Sequence, residues 1–186
     1  MAPGVLHADP AAREGEALRW VLDTNVVLDW LVFGDAHMRG ADAWLRQGRA
    51  RWLHTPAMLE ELCEVVSREQ VLRRARADAG ALGRSVREAS RAHGILMPEA
   101  APCPWRCSDP DDQMFIDLAA QERAQCLLTR DKALLALAPR CAVLGLRILR
   151  PSELGLPDGD GDGAGRPAPA SDLRPRRAGA GDATRQ

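Results

Sequence analysis

The sequence predicts an α/β fold with a mainly parallel central sheet, and three observations predict it. Short apolar runs alternate with longer amphipathic ones, the pattern of successive βα units. At 186 residues and 46% apolar content the chain can bury one substantial core and has little room for a second domain. Asp23 and Asp131 both fall where a predicted strand hands over to a helix, the edge at which open α/β sheets carry their working sites.

The first strand is placed at Arg19 to Leu22. Asp23, Thr24 and Asn25 then start a turn or cap a short helix over Val27 to Leu31, in which Asp29 reads as a solvated face residue. A helix over Gly40 to Gln47 leads to the second strand, Arg51 to His54. In the next helix, Pro56 to Ser67, residues Met58, Leu62, Val65 and Val66 share one apolar face. At about 100° per residue Glu61 lies at the margin of that face and Glu60 points nearly the opposite way. Glu61 can therefore reach a buried site, and Glu60 and Glu64 read as helix surface. A long helical pattern follows over Glu69 to Arg91 with a break near Gly80 or Gly83, then a strand at Ile95 to Met97.

Asp109 reads as an N-cap with Pro110 at the first position of a helix running to Glu122. Asp111 and Asp112 fall in its first turn, where the helix dipole favours negative charge. They flank the face carrying Phe115, Leu118 and Ala119, so periodicity does not choose between them; Asp117 lies on the opposite face. The fourth strand is placed at Gln125 to Leu128, Asp131 caps a helix over Lys132 to Leu137, and the last strand lies within Ala142 to Leu149.

Bulk composition narrows the function classes. A net charge of -1 argues against a uniformly basic nucleic-acid coat, although local arginine patches can coexist with an acidic site. Lys132 is the one lysine, and the arginines of the middle helices, among them Arg73, Arg74, Arg76, Arg84, Arg87 and Arg91, read as solvated surface or as an RNA track. Five scattered cysteines make no disulfide framework and point to a reducing cytoplasm. Cys103 and Cys107 lack the partners a zinc site needs. No apolar run approaches a membrane span and the first residues lack a signal-peptide pattern, so the chain reads as soluble and unexported. Residues 1–17 read as a flexible leader, 18–155 as the folded domain, and 156–186, rich in Gly, Pro and Ala, as a disordered tail. The Asp158 to Gly163 repeat in that tail imitates half a calcium loop, but Pro169 stands where the closing Glu should be.

The acids carry the chemistry. Asp23, Glu61, Asp112 and Asp131 each stand where a carboxylate can face a common centre, with Asp111 the rival of Asp112. Carboxylates about 4 Å apart repel by roughly 4 kcal/mol at an effective dielectric near 20, so one is protonated or a cation intervenes. A hard cation such as Mg²⁺ or Mn²⁺ suits such oxygens and completes its shell with water and phosphate. Beside them, Asn25 could support a metal ligand, and Arg130 and Lys132 could clamp a phosphate.

At these residues the chain resembles the PIN-domain family of nucleases, in particular its bacterial toxin-like branch, over about residues 18 to 154. Leu22 to Asn25 is similar to the family's opening motif, Thr55 to Leu62 to the segment carrying its second acid, and Asp109 to Leu135 to its most specific stretch. That register picks Asp112 over Asp111. The resemblance implies a three-layer α/β/α sandwich and Mg²⁺- or Mn²⁺-dependent hydrolysis of RNA by Asp23, Glu61, Asp112 and Asp131. It further implies support from Asn25 and Thr129, phosphate contacts by Arg130 or Lys132, a cognate antitoxin, and homodimerisation. The rival readings are a non-catalytic RNA- or protein-binding module using the same pocket, and a phospho-acceptor switch, which the position of Lys132 directly after Asp131 disfavours.

Overall fold

A computed structural model describes residues 16–156. Five strands, β1 (Leu18–Leu22), β2 (Ala50–His54), β3 (Gly94–Leu96), β4 (Cys126–Leu128) and β5 (Arg147–Leu149), form one sheet in the order β3-β2-β1-β4-β5, and every pairing is parallel. The period of two along the strands sorts their side chains into two cores. Trp20, Leu22, Trp52, Cys126, Leu128 and Leu149 face one side; Val21, Leu53, Leu127 and Ile148 face the other.

The first core is covered by α1 (Thr24–Leu28), α2 (Arg39–Arg46), α4 (Glu69–Ala75), α5 (Ala79–His93) and most of α3 (Pro56–Val66). The second is covered by α6 (Gln113–Gln121), α7 (Lys132–Leu135) and α8 (Ala138–Cys141). The result is a three-layer α/β/α sandwich. The strand order puts the topological switch point between the neighbouring strands β1 and β4, and the chain leaves both at the same edge.

Several local expectations are corrected. The first helix starts at Thr24, not Val27, because Asp23 caps it, and it runs on into a π turn over Asp29–Phe33 closed by left-handed Gly34 (φ 61°). The break in the long middle helix falls at Arg76 to Asp78, ahead of both glycines. Arg76 ends α4 in the left-handed region (φ 53°), and Asp78 restarts the helix by accepting the Ala81 N–H at 2.8 Å. Gly80 and Gly83 sit inside α5. On the sixth helix, residues 110–112 form a turn, with the Asp109 carboxylate accepting the Asp111 N–H, and the helix begins at Gln113.

A close approach explains Gly94, where α5 meets β3: a Cβ there would lie 2.5 Å from the Ser90 carbonyl and 2.7 Å from His54 Nε2. The expected leader and tail, apart from residues 16, 17 and 156, lie outside the described residues, as does the Asp158 to Gly163 repeat. Among the described residues no helix is long and apolar enough to cross a membrane.

Candidate active site

The switch point between β1 and β4 brings Asp23 and Asp131 together. The Asp23 N–H donates to the Leu128 carbonyl at 3.0 Å, so the end of β1 is stitched to the end of β4. Asp23 is buried, and both of its carboxylate oxygens are engaged. Oδ1 accepts the Val26 N–H at 2.7 Å as the cap of α1; Oδ2 accepts the Thr129 hydroxyl and the Arg130 N–H, the latter at 3.2 Å. Burial nevertheless pushes this carboxyl above the ordinary carboxylate range, against the pull of those hydrogen bonds.

Thr129, fully buried, links the two aspartates: its hydroxyl donates to Asp23 and accepts the Asp131 N–H at 2.9 Å. Asp131 caps α7 through Oδ1, which accepts the N–H groups of Ala133 (2.6 Å) and Leu134 (3.3 Å). Its capping role thus uses one oxygen.

Asp112 completes this group from the turn before α6. Its carboxyl is pushed up to about 7, first by burial and then by the negative charges of Asp131, Asp109 and Asp23. The ambiguity between the two neighbours is thereby resolved in space. Asp112 is half-buried among the acids of the switch point, whereas Asp111 is exposed and its charge acts on Glu61.

Glu61 stands on α3 as helical geometry requires, with Glu60 and Glu64 exposed beside it. Its Oε1 accepts the Thr24 hydroxyl at 3.4 Å, next to Asp23 in the chain. Oε2 is buried with no hydrogen-bond partner. Burial raises its pKa, and the charge of Arg68 partly counters this.

Other expected residues fare differently. Asn25 is exposed on the first turn of α1, not tucked behind a ligand. Lys132 is exposed and, with Ser108, Asp109, Pro110 and Asp131, lines an open depression of about 610 Å³ beside the acids. The Arg130 guanidinium is held by two carboxylates, Nε to Asp29 at 2.7 Å and Nη2 to Asp35 at 2.8 Å. Asp29 is therefore an ion-pair partner with a largely covered side chain, not the solvated residue expected; the π turn rotates it inward.

Two groupings escape the sequence. One is the Asp29–Asp35–Arg130 cluster, whose members lie far apart in the chain. The other is Asp117, expected on an outer face yet buried, because residues 103–107 fold over it. Its Oδ1 accepts the Cys103 N–H and the Gln113 side-chain amide, each at 2.8 Å, while Gln113 also bonds the Trp105 carbonyl (3.0 Å) and the Cys107 N–H (2.8 Å). The Gln113–Asp117 spacing, one helical turn, was the available signal. The five cysteines are free thiols.

Two observations fit a cation here: the unpartnered buried oxygen of Glu61 and the mutual repulsion that lifts Asp112. Among the described residues, however, no three His, Cys, Asp or Glu side chains are arranged to grip an ion together. These residues could therefore hold a hard cation only in part through water.

Comparison with curated proteins finds no match. The family model described as PIN domain matches residues 19–133, from β1 into α7, which is more than half of the chain and spans all four acids. The chain belongs to the PIN domain family.

Proposed function

We propose that the protein is a metal-dependent endoribonuclease that hydrolyses RNA phosphodiester bonds, and that it is the toxin of a toxin-antitoxin pair. Membership in a family of nucleases supports the hydrolase reading. The single observation that carries the site is Asp112, half-buried at the switch point, where burial first and then the charges of Asp131, Asp109 and Asp23 raise its carboxyl to about 7.

Asp23, Glu61, Asp112 and Asp131 would hold Mg²⁺ or Mn²⁺, in part through water, and such an ion would activate a bound water and offset charge on the leaving oxygen. The residues around them fix the donors. Thr129 and the Arg130 N–H hold the Asp23 carboxylate in one orientation. The capping bonds to α7 hold Asp131 Oδ1, and Asp131 lines the same depression as Lys132. Lys132, exposed beside the acids and with no carboxylate within 4 Å among the described residues, would meet a substrate phosphate.

Cleavage of RNA by the purified protein with Mn²⁺, and its loss with chelator, tests this reading. Asp23→Asn and Asp112→Asn are expected to abolish cleavage while retaining the folded circular dichroism spectrum. Wild-type-like cleavage by both variants would overturn it. One observation favours a second reading, a module that binds RNA or a protein segment without cutting: both Asp23 oxygens are already satisfied by hydrogen bonds. Metal-independent binding with no cleavage in Mn²⁺ would select it.

A further inference from the structure

We propose that Arg130 is a positioning residue for Asp23, with Asp29 and Asp35 as its anchors, and that its guanidinium does not contact substrate. The inference deepens the nuclease reading and rests on it for its kinetic consequences. Asp29 and Asp35 form a preorganised pair. The Asp35 N–H donates to the Asp29 carbonyl at 2.9 Å, and the Gly34 N–H reaches the same carbonyl to close the π turn. This turn sets the two carboxylates side by side. π turns inserted into helices are often retained where they aim a side chain at a functional site.

Asp35 is also used on its other oxygen, which accepts the His37 N–H and meets His37 Nδ1, both at 2.8 Å. Into this fork the Arg130 guanidinium inserts Nε and Nη2, at 2.7 and 2.8 Å, a charge-assisted geometry suited to its fixed planar shape. The backbone of the same residue donates its N–H to Asp23 Oδ2 at 3.2 Å. Arg130 has no secondary structure of its own between β4 and α7, and its side chain adds an anchor to the bonds of Thr129 and Asp131 on either side. The anchor thus ties the helix that Asp23 starts to the loop that holds the Asp23 carboxylate. Two of its five N–H donors are engaged and its charge is already matched by two carboxylates, which weakens its pull on a phosphate even though Nη1 keeps its N–H groups.

The test uses the full chain and the variants Arg130→Gln, Arg130→Lys, Asp29→Asn and Asp35→Asn. Steady-state cleavage of a fluorogenic RNA with Mn²⁺ is expected to show kcat lowered roughly 10- to 100-fold in Arg130→Gln, Asp29→Asn and Asp35→Asn, the usual range for partners that orient a ligand. KM and its salt dependence stay within about twofold of wild type, and Arg130→Lys recovers part of kcat. A substrate contact predicts the opposite pattern. KM would rise with kcat retained in Arg130→Gln, and Asp29→Asn, by freeing the arginine, would lower KM; that result overturns the proposal, as do wild-type kinetics in all four.

Amide hydrogen exchange at Arg130, measured in chelator, gives a readout independent of activity. Protection is expected to fall in Asp29→Asn and Asp35→Asn while the strands stay protected. Unchanged protection overturns the positioning role. If the wild type cuts no RNA, the nuclease reading fails on its own and exchange still decides whether the anchor holds the peptide.

Discussion

Replacing Asp112 with Asn should stabilise the metal-free protein above neutral pH while abolishing its activity. The Asp112 carboxyl is raised from 3.8 to about 7 in the folded state by burial and by Asp131, Asp109 and Asp23. A group that binds its proton more tightly folded than unfolded stabilises the fold when protonated. As pH climbs from the unfolded value toward 7 the stability falls, and above 7 the full cost of the extra charge is present. Taken at face value the shift corresponds to about 4 kcal/mol. Solvent screens a half-exposed carboxylate, which brings the expected effect to about 1–2 kcal/mol. At about 2–4 °C per kcal/mol for a domain of this size, Asp112→Asn should melt about 2–8 °C above wild type at pH 8.5 in chelator, and the difference should shrink toward pH 5. Mn²⁺ should raise the melting temperature of the wild type more than that of the variant. Thermal denaturation followed by circular dichroism at both pH values, with chelator and with Mn²⁺, measures all of this. A variant no more stable than wild type at pH 8.5 in chelator would show that the acids do not repel as described.

Three further perturbations report on other parts of the structure. His54, buried against Trp52 and Gly94, has its pKa lowered by burial, so its neutral form stabilises the fold above the unfolded value of 6.5 and stability drops as pH falls below it. In urea denaturation the slope of stability against pH between 6.5 and 5 should be flatter in His54→Asn than in wild type, whatever its absolute stability. Asp117→Ala strips the buried Cys103 N–H and the Gln113 amide of an acceptor and should cost about 1–3 kcal/mol by urea denaturation. The exposed α5 residues Arg84, Arg87 and Arg91 share a helix face with no carboxylate within 4 Å among the described residues. If RNA runs along them, their joint replacement by Ala should lower the slope of log K against log salt by about 2 in fluorescence anisotropy with chelator, and an unchanged slope places the RNA elsewhere.

Most strands were legible because an apolar run buried on both faces of a parallel sheet is a local signal that survives folding; β3, an edge strand with Ile95 and Leu96 exposed, was marked by its short apolar run alone. Even the last one, marked only as lying within Ala142 to Leu149, is there, at Arg147–Leu149. Helix boundaries were less legible. Gly80 and Gly83 looked like breaks, yet Gly is tolerated inside a helix, and the actual break was made by Asp78, an ordinary N-cap whose effect depends on where the chain turns back. At the site, Glu61 was separable from Glu60 by periodicity alone. Periodicity did not separate Asp112 from Asp111, since both flank the same apolar face; the family register favoured Asp112, and in the fold it is Asp112 that is half-buried and raised by Asp131 and Asp23. The partners of Arg130 were hidden for the same reason: a charged residue beside an aspartate reads as a phosphate clamp, and only the fold brings Asp29 and Asp35, about 100 positions earlier, against it.

The Thr129 hydroxyl joins Asp23 to Asp131 across 106 residues of chain. Contacts of such long sequence separation form late, after loop closure has been achieved and β1 has paired with β4. A nascent chain that has emerged only as far as β3 carries Asp23 and Glu61, but holds Asp23 through the local Val26 N–H without Thr129 or the Arg130 N–H. The protein therefore has a built-in order of assembly: the sheet must close before the acids meet, and that waits until the fourth strand and its threonine have left the exit tunnel.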